Sequence, residues 1–450
     1  MEALRLNWFT AGAAARSIRD GAISSERLVE ECLARVREVE ATVQAWQFLD
    51  PEYALNQARA RDQDRREGQS IGPLHGVPVG VKDIIDTGDM PTEDGTVLHA
   101  GRTPAHDATV VARLRAAGAV IMGKTVTTEC ATYAPGKTRN PHNPEHTPGG
   151  SSSGSAAAVA AGMVPLALGS QTNGSVIRPA AYCGVYGFKP THGLISRHGV
   201  LRLSRTLDQM GVFARSVEDI ALGCEILVGG DERDPDTRPR ARIPFREIAA
   251  DEPPLPPLIA FIKTPLWERA DADTRDAFAE LIEALGDRVV EVDLPDIALN
   301  ALEVHRTIME AEMAAALVDE YERGRERLSE ALRAQIERGR AITAFGYQTA
   351  LARIPLLIEG FDELFNRCDA ILTPAVVGTA PKGLASTGDP SFCTLWTLCG
   401  MPAASLPLLH GANGLPLGVQ LVGQRNRDAR LLRTARWLVE QVAGGEPQDG

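Results

Sequence analysis

From Gly149 to Gln171 the chain reads GGSSSGSAAAVAAGMVPLALGSQ. Serines among glycines lead into an Ala/Val segment that reads as a small-residue helix over 152–161. MVPLALGSQ (163–171) then has the apolar content of a buried strand. The same alternation continues outward. Upstream, residues 25–40 place Leu28, Cys32, Leu33, Val36 and Val39 on one helical face, with Ser24 or Ser25 as cap. HGVPVGVK (75–82) carries Val77, Val79 and Val81 at period two, and a helix over 107–118 precedes the strand AVIMGK. Downstream come strands in PLIAFIK, RVVEVDLP, AILTPA and PLGVQLVG. Helices are expected over 272–285 and 428–442, with a mostly helical stretch over 298–345. The expected fold is α/β, a central mixed β-sheet flanked on both sides by helices.

Residues 229–257 are charged and proline-rich and read as a long surface connection. The expected organisation is one domain over 1–442, with a variable, mostly helical segment at about 229–365 and a disordered tail at 443–450. A chain of 450 residues, 44% of them hydrophobic, can bury a large core. Its net charge of −12 argues against a nucleic-acid groove or an anionic membrane surface. The seven cysteines (32, 130, 183, 224, 368, 393, 399) include no Cys-x-x-Cys pair and read as buried, reduced thiols. No apolar run reaches the length of a membrane span, and the N-terminus carries no signal-peptide pattern, so a cytoplasmic location is expected.

GGSSSGS fits several templates superficially. A phosphate loop needs Gly-Lys-Ser/Thr, but Ser155 and Ala156 follow Gly154. Gly150-Ser151-Ser152-Ser153-Gly154 satisfies the nucleophile elbow, which must follow a buried strand. Prolines 141, 144 and 148 precede it instead, which argues against Ser152 as an elbow nucleophile. His142 and His146 spell H-x-x-E-H, yet Pro144 breaks the helix that a zinc site of this kind requires. A linker would not enter an Ala/Val helix. Free N–H groups at a helix start suit a developing anion, and equally suit simple capping.

A second Gly/Ser segment, GSQTNGSVIRP (169–179), follows the strand VPLALG; it can present a hydroxyl and several N–H groups to one point, or be an ordinary tight turn. Lys82 ends an apolar strand. Burial would lower its pKa and make a neutral amine base available; a pair with Asp83 is the plainer alternative.

Taken together, GVPVGVKDIIDT, GKTVTTECA, TRNPHNPEHTPGGSSSGSAAAVAAG and GSQTNGSVIRPAAYCGVYGFKPTHG resemble the amidase signature family of Ser–cisSer–Lys hydrolases. LDQMGVFARSVED, ILTPA and GLPLGVQLVG resemble its later segments, and the resemblance covers roughly residues 5–225 and 365–440. It implies Ser175 as acyl-accepting nucleophile, Ser151 as proton bridge after a cis peptide at Gly150, and Lys82 as base. It implies an oxyanion hole from the backbone N–H groups of Thr172, Asn173, Gly174 and Ser175, supported by Ser152, Gln171 and Arg178. No metal or organic cofactor is implied.

Three positions depart from the family pattern. Ser153 replaces a usual glycine. Gln171 replaces a common aspartate, with a hydrogen bond to Arg178 as a possible substitute for the charge pair. Asn173 replaces a frequent glycine, where tolerance of left-handed backbone would help. The resemblance implies an amidohydrolase acting on small amides, aryl amides or carbamates (urethanes), as monomer or homodimer, with no nucleic-acid or membrane partner. Residues 126–138 and 298–350 are expected to shape its pockets. An amidotransferase A-type subunit that releases ammonia for a partner is the alternative within the family. A catalytically silent scaffold is the alternative of another class.

Overall fold

The computed structural model describes residues 5–444. The tail expected over 443–450 lies outside them, except that the last helix, Asp428–Gly444, runs two residues past 442. Eleven strands form one sheet. They are β1 (Trp46–Leu49), β2 (Pro78–Lys82), β3 (Val120–Thr125), β4 (Leu166–Gln171), β5 (Tyr186–Lys189), β6 (Gln209–Ala214), β7 (Ile259–Phe261), β8 (Val289–Glu291), β9 (Ala370–Pro374), β10 (Ala403–His410) and β11 (Pro416–Val422). Their order across the sheet is β1-β3-β2-β4-β6-β5-β10-β11-β9-β7-β8. The sheet is mixed: β2 runs parallel to β3 and β4, whereas β4 runs antiparallel to β6.

Strand periodicity divides the core into two layers. Ile259, Phe261, Ala370 and Leu372 join one buried cluster, while the residues between them, Ala260 and Ile371, join the other. Successive side chains of a strand point to opposite faces, so both faces of this region are covered, as helices on either side of a sheet require.

The chain from β3 to β4 passes through the helix Ser153–Ala160, every residue of which is buried or nearly so. Its small side chains have a steric cause. A Cβ on Gly154 would lie 2.2 Å from the Ala45 carbonyl oxygen and 2.4 Å from the Val126 nitrogen. The helix therefore rests directly on backbone, which no larger residue at 154 would allow.

Where local signals are strong the elements match expectation. Ala272–Leu285 is a helix capped by Asp271, and Ser24 caps Ser25–Val43. The connection over 229–257 is not wholly irregular: Phe245–Ala250 forms a short helix that buries Phe245 and Ala249. The helical stretch beginning near 298 runs on to Phe365, with Pro355 inside its last helix, Ala344–Phe365, at the loss of one backbone donor. Met309, Met313 and Ile336 are core, whereas Phe345 is 83% exposed. All seven cysteines are buried and unpaired. Among the described residues no single helix is long and apolar enough to cross a membrane.

Candidate active site

Sheet order brings the first two groups together. β2 and β4 are parallel neighbours with Val81 opposite Leu168, so their carboxyl ends emerge side by side. Lys82 Nζ lies 2.8 Å from Ser170 Oγ and 2.7 Å from Ser151 Oγ. The Lys82 side chain is fully buried. Asp83 does not pair with it. Adjacent strand residues face opposite sides, and Asp83 instead meets Lys124 at 3.3 Å. Loss of hydration pushes the Lys82 amine well below its ordinary pKa, and the Asp208 carboxylate pulls the other way. A neutral amine between two hydroxyls is equipped to accept a proton.

The opening Gly/Ser stretch supplies Ser151. The Gly150–Ser151 peptide is cis. The Gly150 carbonyl accepts from Arg178 Nη2 at 2.7 Å and Nε at 3.3 Å, while Arg178 Nη1 donates to the Gly388 carbonyl at 2.6 Å. The remaining serines bond backbone. Ser152 Oγ accepts from the Ser170 N–H at 3.3 Å and donates to the Ser170 carbonyl at 3.2 Å. Ser153 Oγ donates to the Gly149 carbonyl at 2.7 Å, so a serine at this position holds the turn that precedes its helix. The Ser152 N–H points at the Ser175 carbonyl, 3.4 Å away, and this contact joins the two Gly/Ser segments.

The turn carrying Ser175 is held by side chains from distant segments. Gln171 does not replace a charge pair with Arg178. Its Oε1 accepts from the Val176 and Ile177 N–H groups at 2.7 and 3.0 Å, and its Nε2 donates to Thr397 Oγ1 at 2.9 Å. Arg178 meanwhile spends its donors on the two carbonyls above. Nor does Asn173 use left-handed backbone, since it is not among the residues of positive φ. Its amide oxygen accepts from Thr394 Oγ1 at 2.7 Å, its Nδ2 donates to Tyr133 at 3.0 Å, and its carbonyl accepts from Thr397 Oγ1 at 2.5 Å. Thr172 Oγ1 donates to Asp208 at 2.6 Å, and the Thr172 carbonyl accepts from the buried His305 at 2.9 Å.

Ser175 retains 7% of its surface and Ser151 retains 1%. Lys82 and Ser151 are in hydrogen-bond contact, whereas no hydrogen bond joins Ser151 to Ser175 among the described residues. Five site neighbours escaped sequence reasoning: Ser170, Asp208, His305, Thr394 and Thr397. Ser170 had a usable signal, since it lies within the second Gly/Ser segment at a strand end. The histidines of the H-x-x-E-H decoy lie in a loop and turn to separate carbonyls. His142 Nε2 is 2.9 Å from the Cys183 oxygen and His146 Nδ1 is 2.6 Å from the Ala380 oxygen.

The α/β sheet thus sets a buried amine at the carboxyl end of a parallel strand against the hydroxyls of two serines. The chain belongs to the amidase signature family: the family model described as Amidase matches residues 27–432. It is 36% identical to the A subunit of the glutamyl-tRNA(Gln) amidotransferase of Chloroflexus aggregans, covering 95% of each chain. It is 34% identical to the protein of the same name from Lachnospira eligens, over 97% and 98% of the two chains. Among solved structures, the peptide amidase of Stenotrophomonas maltophilia is similar at TM-score 0.86 and 29% identity, with 97% of both chains covered. A 6-aminohexanoate cyclic dimer hydrolase complexed with substrate is similar at TM-score 0.86 and 26% identity, over 98% and 99% of the chains.

Proposed function

We propose that this protein cleaves the C–N bond of an amide through an acyl-enzyme on Ser175. The observation that carries the reading is the buried, desolvated Lys82 in contact with Ser151 at 2.7 Å. Neutral Lys82 takes the Ser151 proton as Ser151 takes that of Ser175, and Ser175 Oγ attacks the amide carbonyl. The Ser151–Ser175 contact forms with substrate bound, since catalytic hydrogen bonds often tighten only in the complex. The N–H groups of Thr172, Asn173, Gly174 and Ser175 receive the oxyanion; one such donor is worth about 3 kcal/mol. Protonated Lys82 returns its proton through Ser151 to the leaving nitrogen. Water then adds to the acyl-enzyme by the same relay, releasing the acid and restoring Ser175. Small amides, aryl amides and carbamates are the substrate classes this chemistry admits.

A second reading keeps the chemistry and changes the fate of the nitrogen. In the A-type role, the chain would release ammonia for a partner protein. The curated relatives, named as A subunits of amidotransferases, favour this reading over free hydrolysis. One experiment separates the readings: fluorophosphonate labelling of Ser175, with turnover of primary amides, anilides and aryl carbamates by the isolated polypeptide. Labelling with turnover supports the hydrolase, and Ser175→Ala then abolishes activity without unfolding. Labelling with turnover only when a partner is added supports the amidotransferase reading. A folded protein with neither label nor turnover is the silent scaffold.

A further inference from the structure

The proline-rich connection over 229–257 gathers positive charge at one point. In TRPR (237–240), Arg238 precedes a proline, which favours extended backbone, and residues two apart in an extended chain face the same side. Arg238 and Arg240 line one cavity of about 340 Å³. Its other walls come from His192 and Gly193, which follow β5, and from Arg425 and Asn426, which precede the helix Asp428–Gly444. The connection is fixed where it meets them. Thr237 Oγ1 accepts from the Asp231 N–H at 2.8 Å, and a Cβ on Gly193, whose φ is +80°, would lie 2.4 Å from the Asp236 carbonyl oxygen.

The three arginines of this cavity are unspent. The other arginines of the connection are paired, Arg233 with Asp231 and both Arg242 and Arg246 with Glu225. Arg238, Arg240 and Arg425 have no ion-pair partner among the described residues. Arg425 Nε is moreover buried and donates to no acceptor among them, a cost that a bound anion would recover. The carboxylate on the wall, Asp236, is already held: it accepts from Arg197 Nη2, and from Arg205 Nε at 3.0 Å. Burial and the Arg197 charge push His192 down to about 4, so it is neutral at physiological pH and balances nothing. Apart from Pro235 the lining has no apolar side chain, and it shares no residue with the Lys82, Ser151 and Ser175 site.

We propose that this cavity binds a compact polyphosphate group, two or more linked phosphates, held by Arg238 and Arg240 from the connection and by Arg425 from the opposite segment. Guanidinium forks match phosphate oxygens, and linked phosphates offer each of three forks its own acceptors. The same chemistry serves free pyrophosphate and the diphosphate of a nucleotide. A nucleic-acid strand is excluded by the confined cavity and by a net charge of −12, which repels a long phosphate backbone.

The test is calorimetric titration of the whole protein with inorganic pyrophosphate, ADP and sulfate in buffer free of divalent cations. Pyrophosphate is expected to bind at a single site per chain, about tenfold or more tighter than sulfate, with an affinity that falls as salt is raised. Equal binding of ADP supports the proposal with a nucleotide as source, and pyrophosphate binding without ADP supports it with the free anion. The pair Arg238→Gln and Arg240→Gln, and separately Arg425→Gln, should each weaken pyrophosphate binding by about tenfold or more. Arg238 and Arg240 are exposed, so the urea midpoint of their variant should match the parent. No pyrophosphate binding at millimolar concentration, equal affinity for sulfate, or an affinity that survives both sets of substitutions overturns the proposal. None of these outcomes bears on the acyl-transfer reading of Ser175.

Discussion

Asp208→Asn tests the electrostatics of the site at one atom. Asp208 accepts three hydrogen bonds, from Thr172 Oγ1 at 2.6 Å and from the Leu203 and Ser204 N–H groups at 2.8 and 2.9 Å. Its carboxylate is the charge that opposes the depression of Lys82. Asparagine preserves the shape. Its oxygen can keep the two backbone donors, and its amide can donate to the Thr172 hydroxyl. What disappears is charge assistance, about 1 kcal/mol per bond. One gain opposes that loss. Burial raises the pKa of Asp208, so its ionised form costs stability at neutral pH, and the amide is free of that cost. The net loss is expected to be about 1–3 kcal/mol, read as a lower urea midpoint at unchanged slope.

The kinetic consequence has a definite sign. With the carboxylate gone, nothing opposes desolvation of Lys82 as strongly, and its pKa falls further. In the proposed relay the amine must be neutral, so the acid limb of kcat/KM is expected to move to lower pH. The assay is a pH–rate profile for Asp208→Asn beside the parent, using any amide that is turned over. An acid limb that stays in place or moves to higher pH refutes the argument, because the group controlling the limb would then be insensitive to Asp208 or be something other than Lys82.

Lys82→Met should abolish turnover and change the pH dependence of stability. The folded pKa of Lys82 lies below its unfolded value, so the unfolded chain binds more protons as pH falls below the ordinary lysine value of 10.5, and the parent loses stability over that window. The urea midpoint of Lys82→Met relative to the parent should therefore be higher at neutral pH than near pH ~10. Gln171→Ala strands the Val176 and Ile177 N–H groups and should cost about 2–4 kcal/mol, together with much of kcat, since both donors lie within two residues of Ser175. EDTA should leave turnover unchanged; strong inhibition would instead return attention to His142 and His146.

What could be read along the chain was what neighbours in sequence determine. The helix Ala272–Leu285 has its cap, its apolar face and its terminal glycine within one stretch, and its bounds match expectation. Lys82, Ser151 and Ser175 stood out because each lies in a dense, characteristic segment. The groups around them did not. Ser170 is 88 residues from Lys82, His305 is 133 from Thr172, and Thr397 is 226 from Gln171. The first pairing follows from a strand order that jumps across the sheet, and the other two from helices packed onto the site from distant parts of the chain, none of which a local period reveals. The same limit explains Gln171 and Asn173. Read alone, each was compared with its sequence neighbours, whereas the structure gives each a partner on the helix Ser391–Leu398.

These distant partners bear on how the site can vary. The turn bearing Ser175 is gripped on one side by Thr394 and Thr397 and on another by His305, which lies on the helix Ala301–Ala316 of the variable segment. The same helix carries Glu312, which accepts from the Thr206 N–H and from Tyr347, and so ties the loop before Asp208 to the helix Ala344–Phe365. Burial pushes His305 down to about 4, so the imidazole is neutral across the physiological range and its bond to the Thr172 carbonyl does not titrate there. The segment that covers the site thus also positions it. A substitution in the Ala301–Ala316 helix that reshapes a substrate pocket shifts His305 or Glu312 as well, and through them the orientation of the Thr172–Ser175 N–H groups. Under the proposed acyl-transfer reading, substrate range and catalytic rate are mechanically coupled, and changes in specificity that preserve rate should concentrate on side chains that bond nothing in that turn.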